Sequence, residues 1–314
     1  MAANEWRTVE KLRLVGPGGE PIDLWRTFVS HGVAELPPLR LDEAARTLDA
    51  TVLLPGGRAR TVRVRDGGRR SAAIQVRGRT PSARDAGALR DAVRHILAFD
   101  QDLSSFYDLA RDDPALSWVT TGAGRMIRSA TVFEEIVKTI CTTNCAWSAT
   151  IRMVGALVEH LGTPAADAPS SGPLGHAFPT PEAMAAAPLD FYRNVVRAGY
   201  RGAYLKALAT DVAEGSTDVE LLGRASPEEL TDDEVALRLV ALPGVGPYAA
   251  AHVMMLIGRY SRLILDSWTR PKYAKVRGTR ALVPDATIVR RFRRYGPYAG
   301  LAFWLLLTRD WVPE

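Results

Sequence analysis

The sequence predicts an α+β protein: a small lobe built on an antiparallel sheet, followed by a two-lobed all-helical domain carrying a helix–hairpin–helix motif. Three observations point that way. Short runs of branched residues separated by glycine-rich turns occupy residues 9–80. From about residue 103 onward apolar residues recur at helical spacing. Within that helical region LPGVGPYAA, residues 242–250, sets a Pro-Gly-x-Gly turn between two helical patterns. The expected boundary places the sheet lobe at 1–102 and the helical domain at 103–314, with the hairpin motif at about 232–258.

In the first lobe, Thr51–Leu54, Thr61–Arg65 and Ser71–Val76 read as strands, separated by Pro55-Gly56-Gly57 and Asp66-Gly67-Gly68. Helices are expected over Leu41–Leu48 and about Asp85–Phe99. Next, Thr131-x-x-Glu134 is a capping box, and Val132, Ile136, Val137 and Ile140 form the apolar stripe behind it. The stripe breaks at Thr142-Thr143-Asn144, resumes from Ile151 to Leu161, and ends at Gly162. Residues 163–173 are an Ala/Pro/Ser/Gly linker, after which Thr180-Pro181 opens another helix. Further helices are expected at about 189–197, 201–213, 232–241, 247–258, 285–295 and 298–308.

Composition bounds the function classes. The 314 residues allow two or three lobes, and 47% hydrophobic with 24% charged residues is ordinary for a globular protein. Net charge is +5 and the pI about 9.3, which permits a polyanionic partner without demanding one. The basic clusters Arg58–Arg70 and Arg290–Arg294 could touch phosphate, but solvated surface is the plainer reading of the first. The start MAANEWRTVEKLRL lacks an apolar core, and the apolar run Ala299–Leu307 is too short for a bilayer. No membrane association is therefore expected. Cys141 and Cys145 are the only two cysteines, which fits a reducing cytoplasm and is too few for a four-thiolate iron–sulfur cluster. Their spacing puts both on one helical face, where burial is the simplest role.

The hairpin admits two readings. Gly244-Val245-Gly246-Pro247-Tyr248-Ala249 fits the dinucleotide pattern GxGxxA, with Asp266 standing 20 residues after Gly246. That pattern requires a preceding strand. Here Thr231-Asp232-Asp233-Glu234 announces a helix instead, and Val235, Leu239 and Leu242 follow at helical spacing. A helix–hairpin–helix is therefore expected, without a nucleotide cofactor. Its glycines let backbone amides approach a ligand, and amides at a helix N-terminus suit an anion such as phosphate.

LPGVGPYAA followed by LILD resembles the helix–hairpin–helix plus Gly-Pro-Asp signature of base-excision DNA glycosylases, most closely the branch of 3-methyladenine DNA glycosylase II and 8-oxoguanine DNA glycosylase. Phe133–Gly162, Phe178–Glu182, Ala198–Arg201 and Tyr295–Trp304 fall in the family's order, so the resemblance covers most of residues 100–311. It implies a DNA-associated protein that takes duplex DNA with a damaged base as partner, and a small buttressing N-terminal lobe; a monomer is expected by default, since no seam in the sequence argues otherwise.

The resemblance assigns roles residue by residue. Asp266 matches the catalytic aspartate, which would stabilise positive charge on the sugar and activate water; a helix N-cap is the structural alternative. Tyr248 stands where bifunctional members carry a nucleophilic lysine, which implies a monofunctional hydrolase. Lys206, Lys272 and Lys275 do not match that position. Tyr248 and Tyr298 match the aromatic walls that bind alkylated bases in that branch, and His252, one turn after Tyr248, either faces the pocket or is a satisfied core histidine. Asn144 matches the wedge that fills the gap left by a flipped base, though asparagine also favours turns. Tyr200 and Arg201 read more like the 8-oxoguanine branch and are expected at the DNA. Leu242, Gly244, Val245 and Gly246 would grip a DNA phosphate. The carbonyls of Val240, Leu242 and Val245 would hold a monovalent cation, Na+ or K+, with no other cofactor required. Alkylated purines are the first expected substrate and 8-oxoguanine the second; a non-catalytic lesion-binding protein is the remaining alternative.

Overall fold

The computed structural model describes residues 6–312. Five strands, β1 (Arg7–Arg13), β2 (Leu39–Asp42), β3 (Thr47–Leu53), β4 (Ala59–Asp66) and β5 (Ser71–Val76), form one antiparallel sheet in the order β1-β5-β4-β3-β2. Strands β2 to β5 are a meander, and β1 closes the edge beside β5. Val62, Val64, Ala72 and Ile74 pack inward on Leu89 and Val93 of the helix Ala83–Ile96. The helix expected over Leu41–Leu48 is absent. Leu41 pairs with Leu48 and Asp42 with Thr47 across a turn in which Arg46 takes φ +51°. Ala, Glu and Arg favour a helix locally, but two flanking ladders override that preference.

The helices after residue 103 divide between two apolar cores. The first joins the sheet lobe to Val132–Thr142, Trp147–Leu161, Arg201–Ala213 and Asp232–Val240. The second joins Ser104–Arg111 to Asp285–Phe292 and Ala299–Thr308. Phe99 lies in the first core and Leu103 in the second, so the chain crosses over residues 100–102. The helix Pro247–Leu256 serves both: Ala249, Ala250, Val253 and Met254 enter the first core, Ala251, Met255 and Leu256 the second. None of its described residues from Ala249 onward is exposed, which is why its sequence is apolar all round.

The capping box at Thr231 and Glu234 forms in both directions. At Thr131 only half of it forms. Thr131 Oγ1 accepts the Glu134 amide at 3.1 Å, while the Glu134 carboxylate turns to the buried Lys138 ammonium at 2.6 Å. Lys138 also donates to the Leu36 carbonyl, 3.4 Å, tying the sheet lobe to this helix. In the basic clusters, Arg63 forks Asp49 at 2.6 and 2.8 Å, Arg58 pairs with Asp85, and Arg294 with Asp113. No helix among the described residues is long and apolar enough to cross a membrane.

The crossover is fastened by a buried ion pair. Arg125 Nη2 meets Glu20 Oε1 at 2.5 Å, both side chains almost fully enclosed, and the same nitrogen donates to the Gln101 carbonyl at 2.9 Å. Glu20 also accepts the Leu103 amide. Removing one partner of such a pair leaves a charge stranded. Arg125→Met is expected to lower the unfolding free energy by about 3–5 kcal/mol in a urea titration; a loss under 1 kcal/mol would show the pair to be idle.

Candidate active site

The hairpin places its glycines for different reasons. Gly244 has φ +78°, and a Cβ there would sit 2.9 Å from the Tyr204 side chain, so both backbone and space require glycine. Gly246 is extended, φ −95° and ψ −179°, and a Cβ on it would meet only open space. It caps the helix Pro247–Leu256, whose first turn has proline at its start and no capping side chain. The Tyr248 and Ala249 amides therefore begin the helix without an intrahelical acceptor. The Leu242 carbonyl accepts the Val245 amide at 3.2 Å and keeps its second lone pair. Val240, Leu242, Gly244, Val245 and Gly246 all border one cleft of about 1370 Å3.

Asp266 lies on the same cleft, half-buried. Its Oδ1 accepts the amides of Trp268 at 2.8 Å and Thr269 at 2.6 Å, and its own amide donates to Thr269 Oγ1 at 2.8 Å. The helix-cap role is thus real, and it fixes the carboxylate's orientation while leaving Oδ2 outside the cap. Asp266 also faces Tyr248: the phenol's pKa is raised, first by burial and then by the Asp266 charge.

Tyr248 and His252 are joined on the cleft wall, ring centroids 4.5 Å apart. Tyr298 is not with them. It packs, half-buried, on the second core against Phe106 at 5.5 Å and Tyr260 at 6.5 Å and does not border the cleft, so its expected place in the pocket is corrected. The partner walls come from elsewhere. His31 of the sheet lobe lies 5.5 Å from His252 and 5.1 Å from Trp304, and Trp304 is held by an indole bond of 2.9 Å to the Ser30 carbonyl. Trp268 and Trp311 continue the wall outward, 5.6 and 5.8 Å from Trp304. None of these was identified from sequence. Trp268 alone had a local signal, two positions after Asp266; His31 and Trp304 meet across most of the chain.

At the rim, Asn144 holds φ +47° in the turn between Val132–Thr142 and Trp147–Leu161, and its Nδ2 donates to the Tyr200 hydroxyl at 3.2 Å. Asparagine tolerates this left-handed conformation. Tyr200, exposed by 55%, and Tyr204 stand at the cleft mouth. Arg201 does not reach the cleft. It is buried, donates to the Thr143 carbonyl and Oγ1, and stacks 4.6 Å from the Tyr200 ring. Its expected DNA contact is corrected: it braces the Asn144 turn from behind.

The floor is polar. Lys138, paired with Glu134, and Glu135 border it, and Glu135 takes the Ser129 amide at 2.8 Å while burial lifts its pKa to about 7. Burial also lowers His252 to about 4, and lowers His31, with help from His252, to about 3. Both imidazoles are therefore neutral in the folded protein at neutral pH, whereas unfolded histidine titrates near 6.5. Between those values the unfolded chain binds more protons, so this stability is present above pH 6.5 and lost as pH falls toward 4. Unfolding free energies from pH 7.5 to 4.5 are expected to decline, and His252→Phe to flatten the slope by up to about 1.4 kcal/mol per pH unit. Equal slopes would contradict the assignment.

No family model and no curated protein matches this chain. Solved structures do. Over 98% of its length it superposes on all of 3-methyladenine DNA glycosylase from Archaeoglobus fulgidus, with a TM-score of 0.71 and 19% identity. It covers 99% of itself and 99% of the 8-oxoguanine glycosylase/lyase of Clostridium acetobutylicum, in complex with double-stranded DNA, again at TM-score 0.71 and 19% identity. The apo form of the latter enzyme gives the same TM-score at 18% identity. The chain therefore has the fold shared by the 3-methyladenine and 8-oxoguanine DNA glycosylases.

Proposed function

We propose that this protein is a DNA glycosylase that hydrolyses the N-glycosidic bond of a damaged purine flipped from duplex DNA. One observation carries the reading: Asp266, its Oδ1 locked by two amides, borders the same cleft as Tyr248, His252 and the glycine hairpin. The hairpin amides and the start of the helix at Pro247 suit a DNA phosphate. Asn144, hydrogen-bonded to Tyr200 at the cleft rim, is proposed as the wedge that fills the gap left by the base. If a monovalent cation stiffens the hairpin, the carbonyls of Val240, Leu242 and Val245 form a neutral oxygen donor set that suits it.

In the proposed reaction the bond from C1′ to the purine nitrogen breaks and the base leaves with the electron pair. Asp266 stabilises the positive charge that develops on the sugar. A water then bonds to C1′ and passes its proton to Oδ2. The neutral imidazoles of His31 and His252 place no cation against an alkylated, positively charged base, and the rings of Tyr248 and Trp304 attract it. Alkylated purines are therefore the proposed substrates, with 8-oxoguanine second.

Monofunctional chemistry is supported by the phenol at Tyr248, which cannot form a Schiff base. Lys138 borders the floor, but its ammonium is committed to Glu134 at 2.6 Å. The test is base release from duplexes holding methylated purines, 8-oxoguanine, hypoxanthine or uracil, with strand breakage scored before and after hot alkali. Asp266→Asn keeps a good helix cap and is expected to retain thermal stability while release falls about 10²- to 10³-fold. Breakage without alkali would sink the monofunctional mechanism. Tight lesion binding without release of any base would favour a binding protein instead.

A further inference from the structure

The aromatic wall extends well beyond what one base can cover. From Tyr248 it runs through His252, His31 and Trp304 to Trp268 and Trp311, with successive centroids 4.5–5.9 Å apart. A purine stacked at Tyr248 and His252 occupies one end. The other end stays open: Trp268 and Trp311 are 40% and 39% exposed, though both rings pack on the buried Trp304. Unlike exposed apolar residues elsewhere on the surface, these two rings lie in contact with each other on one cleft wall, 5.9 Å apart. They are also fixed to the reacting centre, because the Trp268 amide is one of the two held by Asp266 Oδ1. The cleft volume, about 1370 Å3, exceeds the roughly 300–1,000 Å3 of ordinary ligand pockets. Part of that space, between Asn144, Tyr204 and the hairpin, is the approach for DNA. Trp268, Trp304 and Trp311 border the same cleft as Asp266.

Resting on the glycosylase reading above, the geometry points to a substrate class larger than methylated bases: purines carrying a bulky aromatic or apolar adduct, whose substituent stacks on Trp268 and Trp311. A small methyl group leaves those rings uncovered, while an aryl group continues the stack. Cationic adducts suit the site best, since the walls are electron-rich and both histidines are neutral.

The test uses the full chain and duplexes holding a single 7-methylguanine or 7-benzylguanine, with enzyme-free depurination subtracted. Wild type is expected to release both at rates within about threefold. Trp311→Ala, at the exposed end of the wall, is expected to lower the benzyl-to-methyl ratio by roughly tenfold, the scale of one lost stacking partner, and Trp311→Phe to restore most of it. Release of 7-methylguanine with 7-benzylguanine left intact would overturn the inference and leave the glycosylase reading standing. An equal loss for both lesions in Trp311→Ala would overturn it too, assigning the tryptophans to a neighbouring nucleobase. Release of neither, with another base of the wider panel released, would overturn this inference alone, whereas release of no base at all would remove the glycosylase reading with it.

Discussion

The structure depends on one buried helix. Pro247–Leu256 gives side chains to both apolar cores, so neither lobe packs without it and the cleft lies where its first turn emerges. A helix placed this way has almost no freedom to shift, because densely packed interiors resist displacement. Its N-terminus therefore holds the hairpin amides, Tyr248 and His252 in fixed relation. Asp266 follows ten residues after its last turn and reaches the same cleft through a short return segment.

Electrostatics then separate the roles of the groups around that helix. Asp266 is held in one orientation by two amides on Oδ1, whereas His31, His252 and Glu135 sit where desolvation favours the neutral form. The result is a carboxylate of fixed orientation beside an aromatic wall whose two imidazoles are neutral. A carboxylate held in a fixed orientation acts more strongly on developing positive charge than one that must reorganise at the moment of reaction. The single ammonium at the floor, Lys138, is neutralised by Glu134 and serves to bind the lobes together.

Much of this was legible in the sequence, and the rest was hidden for physical reasons. The capping box at Thr231, the proline after Gly246 and the apolar run behind it encode local structure, so helix, hairpin and Asp266 could be read directly. Strand β5 was likewise bounded by its own turns. The turn at Glu43–Arg46 was not, since cross-strand pairing decided against a favourable helix propensity. Tyr298 and Arg201 carried the right residue types at the right places in the chain, yet Tyr298 packs on the second core and Arg201 sits behind the rim, so neither borders the cleft. His31 and Trp304 could not be found at all, because their meeting depends on how the sheet lobe docks on the second core.

The central claim is that this cleft receives a flipped nucleotide with its sugar against Asp266. A crystal structure with duplex DNA containing an uncleavable cationic abasic analogue tests it most directly. The account predicts the analogue's C1′ position within about 3.5 Å of Asp266 Oδ2, a phosphate on the Gly244–Gly246 amides, and Asn144 in the vacated stack. A duplex bound away from the hairpin, or an analogue left stacked in the helix with Asp266 facing solvent, would contradict it.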